Sequence, residues 1–130
     1  MRKLLDTNLF IRFLLKDIPS QAQAVKKILE TGSEELILTD VGLAEIVWVL
    51  TSYYQLPKTE VVDKLLNLLA LKKIQANKDI LVRALKSYQS LNIDFIDAYL
   101  AAYGENQGLN GIYSYDKDFD KIKSLQRREP

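Results

Sequence analysis

Short apolar runs alternate with helix-period stripes along this chain, and that alternation is the strongest limit on its fold. Runs at residues 3–6, 36–38, 73–76 and 111–115 have the length and apolar content of buried strands, the first of them ending in the polar triplet Asp6-Thr7-Asn8. Between them lie stretches with one apolar face. Pro19-Ser20 starts a helix carrying Ala22, Val25, Ile28 and Leu29, and Thr31-Gly32-Ser33 stops it. Thr39 or Asp40 caps a helix expected to run through Trp48 to about Tyr54, closed by Leu56-Pro57. Val61, Val62, Leu65, Leu66, Leu68 and Leu69 form the next stripe. Asn77 is placed to cap another helix carrying Ile80, Leu81, Ala84, Leu85 and Tyr88, and residues 93–103 form the last, with Gly104 and Gly108 near its end. The Lys/Arg-rich tail shows no clear element. Strands separated by helix-length segments pair in parallel through right-handed crossovers, with helices on both faces. The expectation is an α/β fold, a three-layer α-β-α sandwich around a central, mostly parallel sheet of four or five strands. Residues 1–130 read as one domain, without repeats or linkers.

Composition then narrows the chemistry. The chain holds 18 Lys+Arg, 17 Asp+Glu, no His and no Cys. Serine–histidine and cysteine–histidine catalysis, imidazole proton transfer, disulfides and Cys/His zinc sites are all excluded. Any enzymatic chemistry must come from carboxylates, hydroxyls, amides, Lys, Arg or Tyr, or from a metal held by oxygen. The formal charge of +1 carries no strong polyanion signal. Met1-Arg2-Lys3 runs through Leu4-Leu5 into Asp6, too short an apolar stretch for a signal peptide, and no run approaches a membrane span. The cytoplasm is the expected location by elimination.

Several acids interrupt apolar sequence. Asp6 ends the first run, Glu45 is the one charge among residues 41–50, Asp94 and Asp97 break the run from Ile93 to Ala102, and Asp116 follows the last strand. Buried and unpaired, an ionised carboxylate costs several kcal/mol. Local explanations exist for some: Asp6 as a helix cap, Asp94 in a first helical turn, Asp116 and Asp118 as turn formers. Glu45 and Asp97 have no Lys or Arg at helical spacing. In an open parallel sheet, ligands gather at the carboxyl ends of the strands, which is where these acids fall. Carboxylates brought together repel unless protonated or bridged by a cation, and an all-oxygen site suits Mg²⁺ or Mn²⁺. Such a site activates water and neutralises phosphate without His or Cys, so the residues read as a metal-dependent phosphodiester or phosphate hydrolase.

In order, Leu4-Leu5-Asp6-Thr7-Asn8, Leu43-Ala44-Glu45-Ile46, Asp94-Phe95-Ile96-Asp97-Ala98 and Ser114-Tyr115-Asp116-Lys117-Asp118-Phe119 resemble the PIN domain, and within it the VapC-like toxin ribonucleases of type II toxin–antitoxin pairs. The resemblance runs essentially end to end. It implies catalytic, metal-holding acids at Asp6, Glu45, Asp97 and Asp116, with Asp94 and Asp118 as assisting acids. It implies that Thr7 and Ser114 orient Asp6 and Asp116, and that Asn8 contacts water or substrate, although a turn-forming role explains Asn8 as well. The implied cofactor is one or two Mg²⁺ or Mn²⁺ ions. The implied reaction is endonucleolytic hydrolysis of single-stranded RNA, leaving a 5′-phosphate and a 3′-hydroxyl. The implied partners are a second copy of the chain and a VapB-like antitoxin whose C-terminal segment obstructs the site.

Substrate-binding residues are less marked. Arg12 and Lys16, spaced i,i+4 beyond Asp6, are candidates for RNA phosphates, as are Lys121, Lys123, Arg127 and Arg128 in the tail, where a solvated face is the simpler reading. Tyr53, Tyr54, Tyr113 and Tyr115 are candidates for base stacking, with packing the commoner role. Val47, Trp48, Leu50 and Tyr54 make a stripe for core or partner. Two alternatives stand beside the nuclease: a catalytically silent PIN-like RNA-binding or interaction module, and a toprim-type metal nuclease built on Glu45 with Asp116 and Asp118. The second leaves Asp6 and Asp97 without a role.

Overall fold

The computed structural model describes residues 1–130 and divides into two compact units, Met1–Asn77 and Lys78–Pro130. In the first unit the order is β1 (Arg2–Leu4), α1 (Thr7–Leu15), α2 (Pro19–Thr31), β2 (Glu35–Ile37), α3 (Asp40–Trp48), a π-helical segment (Val49–Tyr53), α4 (Lys58–Leu69) and β3 (Ile74–Gln75). Its strands pair in parallel in the order β1-β2-β3, with Leu36 opposite both Lys3 and Ile74. Strands of two or three residues offer little area of their own. The helices supply the core, in which Phe10, Leu43, Ile46, Leu50, Leu65 and Leu68 are fully buried.

The second unit holds α5 (Lys78–Ser90), α6 (Phe95–Asn106), β4 (Gly111–Tyr113), a 3₁₀ turn (Lys117–Lys121) and β5 (Gln126–Arg128). The α5–α6 hairpin packs Leu81, Ala84 and Leu85 with Ala98, Ala101 and Ala102, all buried. An edge-to-face contact of Tyr88 with Phe95, centroids 5.8 Å apart, closes its turn. Gly108, at φ 73°, reverses the chain after α6. β4 and β5 pair in parallel, and buried Phe119, Ile122 and Leu125 anchor the crossover between them.

Every strand pairing is parallel, as the alternation of elements predicts, in a three-stranded sheet in the first unit and a two-stranded sheet in the second. The fifth strand lies in the basic tail, where alternating charge hides the strand pattern. Two local expectations are corrected. β1 is an exposed edge strand rather than a buried one, with Leu4 71% accessible, because β2 alone pairs with it. The expected helix over residues 40–54 changes to π-helical geometry after Trp48. There the Thr51 hydroxyl donates to the carbonyls of Val47 (2.7 Å) and Trp48 (3.3 Å), competing with the regular ladder. Asn77, directly before α5, donates its side-chain amide to the Asp40 carboxylate at 3.1 Å. The cap at Thr39 is present, its hydroxyl accepting the Gly42 N–H at 2.9 Å. No helix is long and apolar enough to cross a membrane.

Core packing and capping set separable energies. Leu65→Ala is expected to destabilise by about 2–5 kcal/mol and Thr39→Ala by about 1 kcal/mol, read from urea unfolding midpoints at unchanged slope. A loss at Leu65 no larger than that at Thr39 would contradict this assignment of the core.

Candidate metal centre

In the first unit, Asp6 follows β1 and takes the N-cap position of α1 with extended backbone, φ −61° and ψ 142°. Its carboxylate makes no capping bond; the Asp6 carbonyl accepts the Leu9 N–H at 2.9 Å instead. The acid is thus left exposed to solvent, free of the cap role that would explain it locally. Thr7 donates its hydroxyl to Glu45 Oε2 at 3.3 Å, so it orients Glu45 rather than Asp6. Gly42 sits close under the Thr39 cap, where a Cβ would stand 3.0 Å from Thr39 Oγ1. Asn8 is exposed in the first turn of α1.

Glu45 is also exposed, contrary to the buried position its apolar neighbours imply, and no charged side chain in the chain is buried. The reason lies in α3. Leu43, Ile46 and Val47 point inward, whereas Val41 (78% accessible), Glu45 and Trp48 (65%) share the outer face at i,i+4,i+7. A run that reads as uniformly apolar is therefore two faces, one solvent-facing and carrying the acid. The stripe expected for core or partner divides likewise: Val47 and Leu50 are buried, Trp48 is exposed and Tyr54 is half-buried.

The proposed phosphate contacts behave differently from their sequence spacing. The Arg12 guanidinium bonds the Asp17 carboxylate and reaches Tyr54 Oη at 3.4 Å, and its hydrogen bond holds Asp17 below the usual carboxylate range. Lys16 is the exposed, left-handed C-cap of α1, at φ 57°, its N–H donating to the Arg12 carbonyl at 2.9 Å. In the tail, Arg127 forms a two-pronged pair with Asp120 at 3.0 and 3.2 Å and also donates to the Ser114 carbonyl at 3.1 Å. Tyr53, Tyr113 and Tyr115 are exposed rather than packed in the core.

In the second unit, the acids of α6 and of the turn after β4 meet. Asp94 is the N-cap of α6, without a side-chain capping bond, and Asp97 lies in the first turn. The Asp116 carboxylate accepts the Asp118 N–H at 2.9 Å, and the Asp116 N–H donates to Ser114 Oγ at 2.9 Å. Ser114 thus fixes the backbone of Asp116 and does not bond its carboxylate. Asp97, Asp116 and Asp118 each present an oxygen within 4.8 Å of the others. Asp118 has one further partner, the Lys121 ammonium at 3.0 Å, a residue whose i,i+3 spacing to Asp118 was the available sequence signal. Partial burial, and then the charges of Asp116, Asp94 and Asp118, push the Asp97 carboxyl above its ordinary value of 3.8.

Three carboxylates at this spacing are a hard-oxygen donor set short of positive charge, which fits Mg²⁺ or Mn²⁺ and does not fit a soft metal. Their repulsion also has a cost in the metal-free protein. Asp97 has a folded-state pKa raised above that of the unfolded chain, so the folded state binds more protons between the two values. Stability therefore falls as pH rises through that window, and the cost is fully present above it. Asp97→Asn is expected to melt higher than wild type at pH 7 in chelator, with the gap closing as pH falls toward 3.8. A gap independent of pH would exclude this electrostatic origin.

A family model, the PIN domain, matches residues 3–125. No curated protein matches the chain. Among solved structures it is similar to VapBC2 from Rickettsia felis bound to a DNA fragment from its promoter. Identity there is 16%, over 99% of this chain and 98% of that one, at a TM-score of 0.44. A toxin–antitoxin complex from Klebsiella pneumoniae is similar at 20% identity, over 94% of this chain and 93% of the other, with a TM-score of 0.34. With residues 3–125 matched by one family model, and with the acids at the strand ends and helix starts described above, the chain belongs to the PIN domain family.

Proposed function

We propose that this chain is a Mg²⁺- or Mn²⁺-dependent endoribonuclease that hydrolyses phosphodiester bonds of single-stranded RNA, acting in the cytoplasm as the toxin of a toxin–antitoxin pair. The observation that carries the reading is the approach of Asp97, Asp116 and Asp118 to within 4.8 Å in a PIN-family chain that has no His or Cys. Its functional acids are Asp6, Glu45, Asp97 and Asp116, with Asp94 and Asp118 assisting. One or two divalent ions would supply a water of lowered pKa and neutralise charge on the scissile phosphate.

The chain's own residues do the positioning. Thr7 holds one oxygen of Glu45, leaving the other free to accept a proton or a ligand. Ser114 and the Asp118 N–H together fix Asp116, so one Asp116 oxygen stays directed away from its turn. Asp97, in the first turn of α6, faces Asp116 and Asp118 across the cluster and would share a cation with them. Exposed Tyr113 and Tyr115 flank Ser114 beside Asp116 and offer ring faces to unstacked bases, a mode open to single strands and closed to a duplex. Residues 1–130 act as one functional domain, paired with a second copy of the chain. The cognate antitoxin is a VapB-like protein whose C-terminal segment covers the acids. The toxin role rests on the order and spacing of the four acidic motifs.

The test is cleavage of end-labelled single-stranded RNA with Mg²⁺ or Mn²⁺. Asp6→Asn and Asp97→Asn are each expected to lose about a hundredfold or more in rate, and EDTA to abolish cleavage. Cleavage indifferent to EDTA and to both substitutions would falsify the metal reading. RNA binding without cleavage of any strand would favour the silent module.

A further inference from the structure

The Lys121 ammonium occupies a particular place in the second unit. It stands 3.0 Å from Asp118 Oδ1 and donates to the Asn92 carbonyl at 3.1 Å. Asn92, with left-handed backbone at φ 45°, belongs to the turn that leads into α6, two residues before Asp94 and five before Asp97. Asp118 belongs to the 3₁₀ turn after β4 and to the group of three carboxylates within 4.8 Å. One side chain therefore ties together the two segments that carry the acids, and its charge is spent on one of those acids rather than on solvent.

We propose that Lys121 is the resident counter-cation of the Asp97, Asp116 and Asp118 cluster, holding Asp118 until a divalent ion displaces it and thereby setting the affinity of the cluster for that ion. The inference rests on the metal reading above and adds a residue to it. Without an ion, one ammonium relieves part of the repulsion among three carboxylates. When an ion enters, the same ammonium lies within a few ångströms of it and repels it. The side chains of Lys121 and Asp118 are 41% and 45% accessible, and a solvent-exposed pair of this kind is weak enough to be displaced. A tie that served only to hold the turn would act in the opposite direction, because cutting it would loosen the donors and weaken binding.

Mn²⁺ binding to the full chain, followed by the electron paramagnetic resonance signal of free Mn²⁺ at low ionic strength, separates the two. Lys121→Gln and Lys121→Met are expected to bind Mn²⁺ roughly three- to tenfold more tightly than wild type, with the gain shrinking in high salt. Lys121→Arg, which keeps the charge, should match wild type. Lys123→Gln, which removes an exposed charge two residues along, should leave affinity unchanged. In an Asp118→Asn background the gain from Lys121→Gln should vanish. Circular dichroism melts confirm that each variant is folded. If wild type binds Mn²⁺ and both uncharged variants bind it equally or more weakly, Lys121 is not a counter-cation and the metal reading survives. If neither wild type nor the uncharged variants bind Mn²⁺, the metal reading fails and this inference with it.

Discussion

Parallel pairing between very short strands governs how this chain is built. A parallel strand cannot turn back on its neighbour through a tight loop, so each strand of two or three residues must be followed by a crossover that returns the chain to the same edge. The crossovers hold most of the apolar area and hence most of the stability. α4, with Val61, Val62, Leu65, Leu68 and Leu69 all buried, contributes more core than the three strands of its unit together. The same geometry delivers the carboxyl ends of β1 to β4 to a helix or turn start. Asp6 after β1 and Asp116 after β4 occupy such places.

From that arrangement follows the electrostatic character of the second unit. Helix α6 begins with Asp94 and Asp97, and the turn after β4 brings Asp116 and Asp118 against Asp97. Gathering carboxylates within 4.8 Å, one of them with its pKa raised by partial burial and by its neighbours, costs stability. The Asp118–Lys121 pair and the backbone bonds of Asp116 relieve part of that tension, and under the proposed function a bound cation would relieve the rest. An exposed acid such as Glu45 has another character: its hydroxyl partner Thr7 orients it at the surface.

Charge elsewhere is used internally more than its distribution along the chain suggests. Arg12 joins the end of α1 to Asp17 and Tyr54, and Arg127 holds Asp120 while bonding the Ser114 carbonyl. A guanidinium engaged on two sides is a poor phosphate ligand until its partners release it. The near-neutral balance of 18 basic and 17 acidic residues therefore conceals a division of labour. Basic side chains brace turns, while three carboxylates of the second unit gather at one place.

The sequence by itself determined the class of fold, the helical stripes, the Thr39 cap and the exclusion of His and Cys chemistry, because each is written in local period or residue type. Strand β5 was not legible, since Gln126, Arg127 and Arg128 carry no apolar alternation and pair only through their backbone. The exposure of Glu45 was not legible either: Val41 and Trp48 on the outer face of α3 make an apolar run look buried all round. Only the tertiary structure decided which acids meet and which cations they engage. Asp97 and Asp118 lie 21 positions apart, as read from the sequence numbering, and Lys121 reaches a carbonyl at Asn92 from the far end of a crossover. Such contacts depend on where a strand and a helix start come to rest, a property of packing that neither propensity nor spacing encodes.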